Sequence, residues 1–159
     1  MAWTNSKVFE QAALAWLDRT ANIDMDGDTF KAALYDNTPT PSNTVSAALS
    51  AYNAGTSQWV VANEVDDTTE WDAGGEPLVS NDVTTSAGVI TWDATDTASG
   101  GSSATLANVY GTLVYDDTLT TPVADQGICY NYFGGANSVT NGTFTIQWSA
   151  SGILNINAA

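Results

Sequence analysis

The segment ATLANVYGTLVYDD, residues 104–117, decides the fold class of this chain. Apolar and polar side chains alternate along it, and a period of two is typical of a half-buried strand. Asp116 and Asp117 then end the strand, because Asp side chains bond to nearby backbone in turns. The inward, mostly apolar face is predicted to consist of Thr105, Ala107, Val109, Gly111, Leu113 and Tyr115.

Similar segments occur on both sides of this one. Residues 143–148 alternate again, and the Asn141-Gly142 dipeptide before them is a strong hairpin signal. Gly134-Gly135 is predicted to be a turn as well. The inward residues of 143–148 are predicted to be Phe144, Ile146 and Trp148. Further strands are predicted over 29–35, 58–62, 88–92, 127–133 and 152–156. Short strands separated by turns indicate a mainly β chain, an antiparallel β-sandwich or jelly-roll-like single domain.

One helix precedes the strands. Over residues 6–19 apolar side chains recur at spacings of three and four, and Ser6 can serve as the N-cap. The apolar stripe consists of Val8, Phe9, Ala12, Ala13, Trp16 and Leu17. We therefore divide the chain into an N-terminal helix or arm, residues 1–28, and a β-sandwich domain, residues 29–159.

The distribution of charge excludes several classes of function. The net charge is −15, and the basic residues are Lys7, Arg19 and Lys31, so that residues 32–159 contain no Lys, Arg or His. A surface of this kind cannot grip a phosphate backbone or bind an anionic membrane. We predict no nucleic-acid partner and no membrane partner, and an acidic surface that faces water.

The residue types that usually carry catalysis are scarce. Without His there is no imidazole base, no usual catalytic triad and no usual zinc site. Cys129 lies in an apolar run and is predicted to be a small buried hydrophobe. We predict a protein that is not an enzyme, with no catalytic residue, no metal ligand and no cofactor.

Two acidic segments keep alternatives open. Residues 24–28 (DMDGD) begin like a calcium loop, but Thr29 and Tyr35 stand where an EF-hand needs Gly and Glu. An acidic turn is the simpler interpretation, and a weak cation site of another type stays open. The carboxylates of residues 64–76 could hold a hard cation or act as the acid and base of a glycosidase, with a solvated loop as the default.

The six Trp residues raise the alternative of a sugar platform. Trp92 and Trp148 lie within alternating strands and are predicted to belong to the core. Trp71 lies in the acidic segment and is the best candidate for a surface contact.

Several segments together resemble a family of small tailed-bacteriophage virion proteins. The resemblance covers residues 29–154 and is strongest in the last forty of them. It rests on TFKAALY (29–35), NEV (63–65), WDAGG (71–75), VYDDT (114–118), ICYNYFGG (128–135), SVTNGTFTIQW (138–148) and GI (152–153). It implies a capsid decoration (cement) protein that binds the outer surface of the major capsid protein shell and stabilises it. It implies no catalytic residues.

From this resemblance we expect a protein on the capsid surface of the virion, and in the host cytoplasm during assembly. We also expect a homotrimer, because a small domain rich in aromatic residues and poor in charge pairs can bury an apolar face between copies, although its net charge opposes assembly. The candidate capsid-docking residues are Lys7, Val8, Phe9, Trp16 and Arg19, because the N-terminal segment holds every cation and the amphipathic helix. The alternative is a phage tail or fibre protein that contacts host surface glycans, and a carboxylate-based glycosidase is a third.

Overall fold

Within residues 3–157, which the computed structural model describes, ten strands and three short helical segments build the fold. The strands are β1 (Lys7–Val8), β2 (Phe30–Tyr35), β3 (Glu76–Pro77), β4 (Asp82–Ser86), β5 (Val89–Asp93), β6 (Thr97–Ala98), β7 (Ala104–Asp116), β8 (Gly127–Gly142), β9 (Thr145–Ile146) and β10 (Leu154–Asn157). The helices are α1 (Glu10–Asp18) and α2 (Ala47–Ser50), and Val61–Asn63 form a 3-10 turn. Strands hold 39% and helices 10% of the residues, which confirms the predicted mainly β, antiparallel, sandwich-like single domain with an N-terminal helix.

The main layer is a five-stranded antiparallel sheet in the order β1-β8-β7-β2-β3. Strand β7 pairs with β8 on one side and with β2 on the other. Every residue of β2 except Lys31 is buried, since both faces of the sheet are covered at this strand. The predicted strands over 29–35 and 104–115 are therefore present and lie side by side.

Two smaller antiparallel sheets complete the sandwich, one in the order β10-β5-β4 and one that pairs β6 with β9. An aromatic contact joins the layers: the rings of Phe30 on β2 and Trp92 on β5 lie 4.9 Å apart, edge to face. Such a pair adds stability beyond the apolar area that it buries. The prediction that Trp92 belongs to the core is confirmed.

The N-terminal segment belongs to the same core as the sandwich. Strand β1 pairs with β8, and the side chains of Trp3 and Phe9 are completely buried against Trp59 and Tyr130. Helix α1 begins after Phe9 rather than at Ser6, whose hydroxyl accepts a hydrogen bond from the Tyr132 N–H instead. The division at residue 28 therefore does not separate two cores.

A backbone irregularity changes which side chains of β7 face inward. The register with β8 shifts between Leu106 and Val109, and Asn108 has a left-handed φ of 59°. Bulges of this kind insert a residue and reverse the alternation. Leu106 is therefore buried while Thr105 and Ala107 are exposed, so the predicted inward face is wrong before the bulge and correct after it.

Three local predictions are also wrong. Gly134-Gly135 is not a turn, because β8 continues through both glycines, which take φ values of 82° and 158°. The strand after Asn141-Gly142 pairs with β6, so this dipeptide does not close a hairpin. Residues 58–62 form no strand, and a 3-10 turn occupies their end. The alternation in 143–148 holds, with Ile146 buried and its flanking aromatic residues half-buried.

Candidate functional site

The five predicted docking residues lie in two places. Lys7 and Val8 lie on β1 at the edge of the five-stranded sheet, where they pair with Tyr130 and Cys129. Trp16 and Arg19 lie at the end of α1 and line one polar depression together with Ile23 and Met25. These five residues therefore do not form one continuous patch.

Phe9 needs a correction. Its side chain is 0% exposed and packs edge to face against Trp59 and Tyr130, with ring centroids 6.3 and 5.4 Å away. A side chain enclosed in this way is unavailable to a partner. The predicted helical stripe holds only in part, because Val8 lies on β1 and Phe9 precedes α1. Ala12 is buried as predicted, whereas Leu17 is 86% exposed.

The structure adds a feature that the sequence reasoning missed, an apolar groove between α1 and the β10-β5-β4 sheet. The groove has a volume of about 250 Å³. Its lining consists of Trp16, Ile23, Met25, Val83, Ile90, Trp92, Leu154 and Ile156. The sequence signal was the alternation in Ile90-Thr91-Trp92 and Leu154-Asn155-Ile156, but only the strand pairing shows that these residues share a face.

Strand register builds the sheet wall of the groove. Trp92 lies opposite both Val83 and Leu154, which forms one cross-strand row. Ile90 lies opposite Ile156 in a second row, two residues away and on the same face. Trp92 and Leu154 form a buried floor, whereas Ile90 and Ile156 form a rim that is 37% and 46% exposed.

Hydrogen bonds hold the opposite wall in place. The Trp92 indole N–H and the Asn81 side-chain amide both donate to the Met25 carbonyl, at 2.7 and 3.1 Å. These bonds fix the loop that carries Ile23 and Met25 against the sheet. The groove is therefore a preformed feature of the fold.

Helix α1, whose Trp16 lines the groove, also exposes two leucines outside the groove lining. Leu14 and Leu17 on α1 are 46% and 86% exposed, and they lie one turn apart. Contiguous exposed apolar surface is uncommon on soluble monomers and marks interaction sites. The surface that combines α1 and the groove is the best candidate for a binding site in residues 3–157.

One of the three basic residues, Arg19, lies at this surface. Within residues 3–157 one ion pair forms, between Lys31 and Asp117 at 3.1 Å. Arg19 is exposed beside Trp16 and takes a left-handed φ of 60° at the end of α1. An acidic group on a partner would find its nearest positive charge here.

In the acidic segment 64–76, several side chains make contacts that stabilise the fold. Asp67 accepts hydrogen bonds from the backbone N–H groups of Thr69 and Thr105, and these bonds lower the pKa of its carboxyl.

Trp71 is completely buried and packs edge to face on Phe144 at 5.8 Å, so the prediction of a surface Trp71 is wrong. No group of three or more Asp, Glu or Cys side chains in residues 3–157 is arranged to hold a metal ion.

Glu64 is the most constrained member of the segment. Its carboxyl accepts hydrogen bonds from the Gly74 N–H at 2.8 Å and from the Tyr52 hydroxyl at 2.9 Å. Tyr52 in turn stacks on Tyr115 at 4.7 Å. Burial, reinforced by repulsion from Asp66, raises the pKa of Glu64 from 4.5 to about 7 although both hydrogen bonds oppose the shift. Through these two hydrogen bonds Glu64 links its own loop with the loops of Tyr52 and Gly74.

We predict that Glu64→Gln makes stability less dependent on pH. Since the folded-state pKa is raised, the contribution of Glu64 is fully present below about pH 4.5 and is lost as the pH rises through about 7. The loss is on the order of 1–2 kcal/mol after allowance for solvent screening. Thermal melts at pH 5 and pH 8 should show a smaller difference for Glu64→Gln than for the wild type. Asp82→Asn, which removes an exposed carboxylate, is the charge control, and an unchanged pH profile of Glu64→Gln would contradict this role.

Cys129 is buried as predicted, and burial raises the pKa of its thiol to about 12. Such a thiol is a poor nucleophile at neutral pH.

No helix within residues 3–157 is long and apolar enough to cross a membrane.

Comparison of the chain with protein-family models, curated proteins and solved structures found no match.

Proposed function

We propose that this chain is a non-enzymatic structural protein of a tailed-bacteriophage virion, a decoration (cement) protein on the outer surface of the major capsid protein shell. The observation that carries the proposal is the preformed apolar groove beside α1, with its exposed rim of Ile90 and Ile156. A protein of net charge −15 that still exposes such a groove has a surface suited to a partner.

The charge distribution supports an orientation. Arg19 lies beside the groove wall, whereas residues 32–159 carry no cation. Docking through α1 and the groove would bring this cation to the shell and leave the acidic body facing water. Of the predicted docking residues, Trp16 and Arg19 remain in the proposal, joined by the groove rim, and Lys7 and Val8 would require a second contact.

A homotrimer is part of the proposal, by the resemblance to decoration proteins. Trimer formation would bring three strongly acidic bodies together. Because their repulsion is screened over roughly 8 Å at 0.15 M salt, assembly should strengthen with ionic strength.

No candidate glycan-contact residue in residues 3–157 supports the alternative of a tail or fibre protein that binds host glycans. Its best candidate, Trp71, is buried in the core. No observation in the described part of the chain favours a glycan site over the apolar groove.

The proposal is tested by mixing the purified protein with shells of the major capsid protein of the same virus. We expect co-sedimentation that saturates at a fixed number of copies per shell, and a higher disruption temperature for the decorated shells. Absence of saturable binding, together with binding to one class of glycan on an array, would replace the proposal with the tail or fibre alternative.

A further inference from the structure

A buried carboxylate lies at the end of β7, outside the groove. The Asp116 side chain is 0% exposed. Its Oδ1 accepts hydrogen bonds from the backbone N–H groups of Thr118 and Leu119, at 2.9 and 3.0 Å. Its Oδ2 is equally buried and accepts no hydrogen bond from any residue in 3–157. One oxygen of a buried carboxylate is therefore left for a further partner.

A second carboxyl group lies beside Asp116. The Asp28 side chain lies within hydrogen-bonding reach of Asp116. Asp28 is itself half satisfied, because its Oδ2 accepts the Asp24 N–H at 2.7 Å. We call Asp28 and Asp116 the aspartate pair.

The backbone forces the two groups together. The Asp117 N–H donates to the Thr29 carbonyl at 2.9 Å, and the Thr29 N–H donates to the Thr118 hydroxyl at 2.8 Å. These bonds tie the residue after Asp28 to the residues after Asp116. The backbones of Asp28 and Asp116 are therefore held close together.

Two adjacent carboxylates are stable only if a proton or a cation lies between them. Lys31, on the neighbouring strand β2, is paired with Asp117 instead, at 3.1 Å. The protein does not supply the missing positive charge to Asp116.

The surroundings of Asp28 are rich in oxygen ligands. Asp28 lines a pocket of about 200 Å³ whose other residues are Asn22, Thr118, Leu119, Thr120 and Thr121. Every one of these except Leu119 has a side-chain oxygen. Oxygen ligands from carboxylates, amides and hydroxyls are those that Ca²⁺ prefers.

We propose that the aspartate pair binds a calcium ion, with Asp28 and Asp116 as its carboxylate ligands and the pocket of Asn22 and the threonines supplying neutral oxygens or water contacts. This site differs from an EF-hand. Asp24 uses its Oδ1 to accept the N–H groups of Asp26 and Gly27, which closes its own turn. From the DMDGD segment the proposed site uses Asp28.

With two carboxylates the affinity should be modest, with a Kd of about 0.1–1 mM as in weak extracellular sites. In about 10 mM CaCl₂ the melting temperature should then rise by about 3–8 °C. The reference is NaCl of equal ionic strength, since screening alone stabilises a protein of this net charge. The full-length protein is used without shells, so the outcome is independent of the proposed virion role.

Asp28→Asn and Asp116→Asn should each abolish the calcium-specific rise while the protein stays folded, because Asn keeps the shape of Asp and can still accept backbone hydrogen bonds. Asp82→Asn removes an exposed carboxylate on β4 and should keep the full response. Isothermal titration with CaCl₂ should give one site in the wild type and none in either pair variant. A rise equal to that in NaCl, or one that persists in both pair variants, would overturn the proposal and leave a shared proton as the explanation.

Discussion

Replacing Trp3 by Ala should lower the free energy of unfolding by about 3–5 kcal/mol, the range for a large buried aromatic residue. Trp3 is completely buried, and its ring lies 5.6 Å from Trp59 and 6.2 Å from Tyr130. Its indole N–H also donates to the Asp36 carbonyl at 2.8 Å. The substitution therefore leaves a cavity and an unsatisfied carbonyl at once.

The Trp3 ring lies so close to the main sheet that no other side chain can take its place. A Cβ atom at Gly111 on β7 would come within 2.5 Å of the Trp3 ring, so the indole lies directly on the backbone of the strand. Removal of the indole exposes the centre of the five-stranded sheet.

Leu17→Ala is the matched control for Trp3→Ala. It also replaces a large apolar side chain in the N-terminal segment, but Leu17 is 86% exposed, so its effect should stay within about 0.5 kcal/mol. Urea or thermal unfolding of both variants measures the difference. If Trp3→Ala were as stable as Leu17→Ala, the N-terminal segment would be a detachable arm after all.

The second large effect should appear in binding to shells. Ile90→Glu and Ile156→Glu each place a charge on the rim of the apolar groove, where a docked partner would have to bury it. A central interface residue typically contributes about 2 kcal/mol or more, so we expect affinity to fall by at least about 30-fold. Both side chains are exposed in the unbound protein, so the melting temperature should change little.

Val79→Glu is the control for the rim variants. It adds the same charge at a Val that is 58% exposed and lies outside the groove lining. It should bind shells like the wild type. Equal loss of affinity in Val79→Glu and Ile90→Glu would show that net charge, and not the groove, governs binding.

The sequence predicted those parts of the fold that depend on local patterning. Residues 30–35 and 104–116 form strands because their apolar content suits only a covered sheet. The local pattern could not reveal the bulge at Asn108 or the passage of β8 through Gly134 and Gly135, because both depend on the partner strand. Paired glycines with positive φ occur both in turns and in irregular strands.

The candidate site could likewise be predicted where it depends on local sequence pattern, and not where it depends on strand pairing. Trp16 and Arg19 could be proposed from the sequence because an amphipathic helix that carries a cation is visible in it. Ile90 and Ile156 lie 66 positions apart and come together only through the β5–β10 register. Phe9 and Trp71 were misplaced because an aromatic residue next to polar residues gives no local sign of which side is covered.

Imaging of the intact virion by electron cryomicroscopy, at a resolution that shows strands, tests the proposed role most directly. We predict that density matching this sandwich lies on the outer face of the shell, with α1 and the Ile90–Ile156 rim against the major capsid protein and the acidic strands toward solvent. Density for the sandwich in the tail or a fibre, with none on the shell, would contradict it.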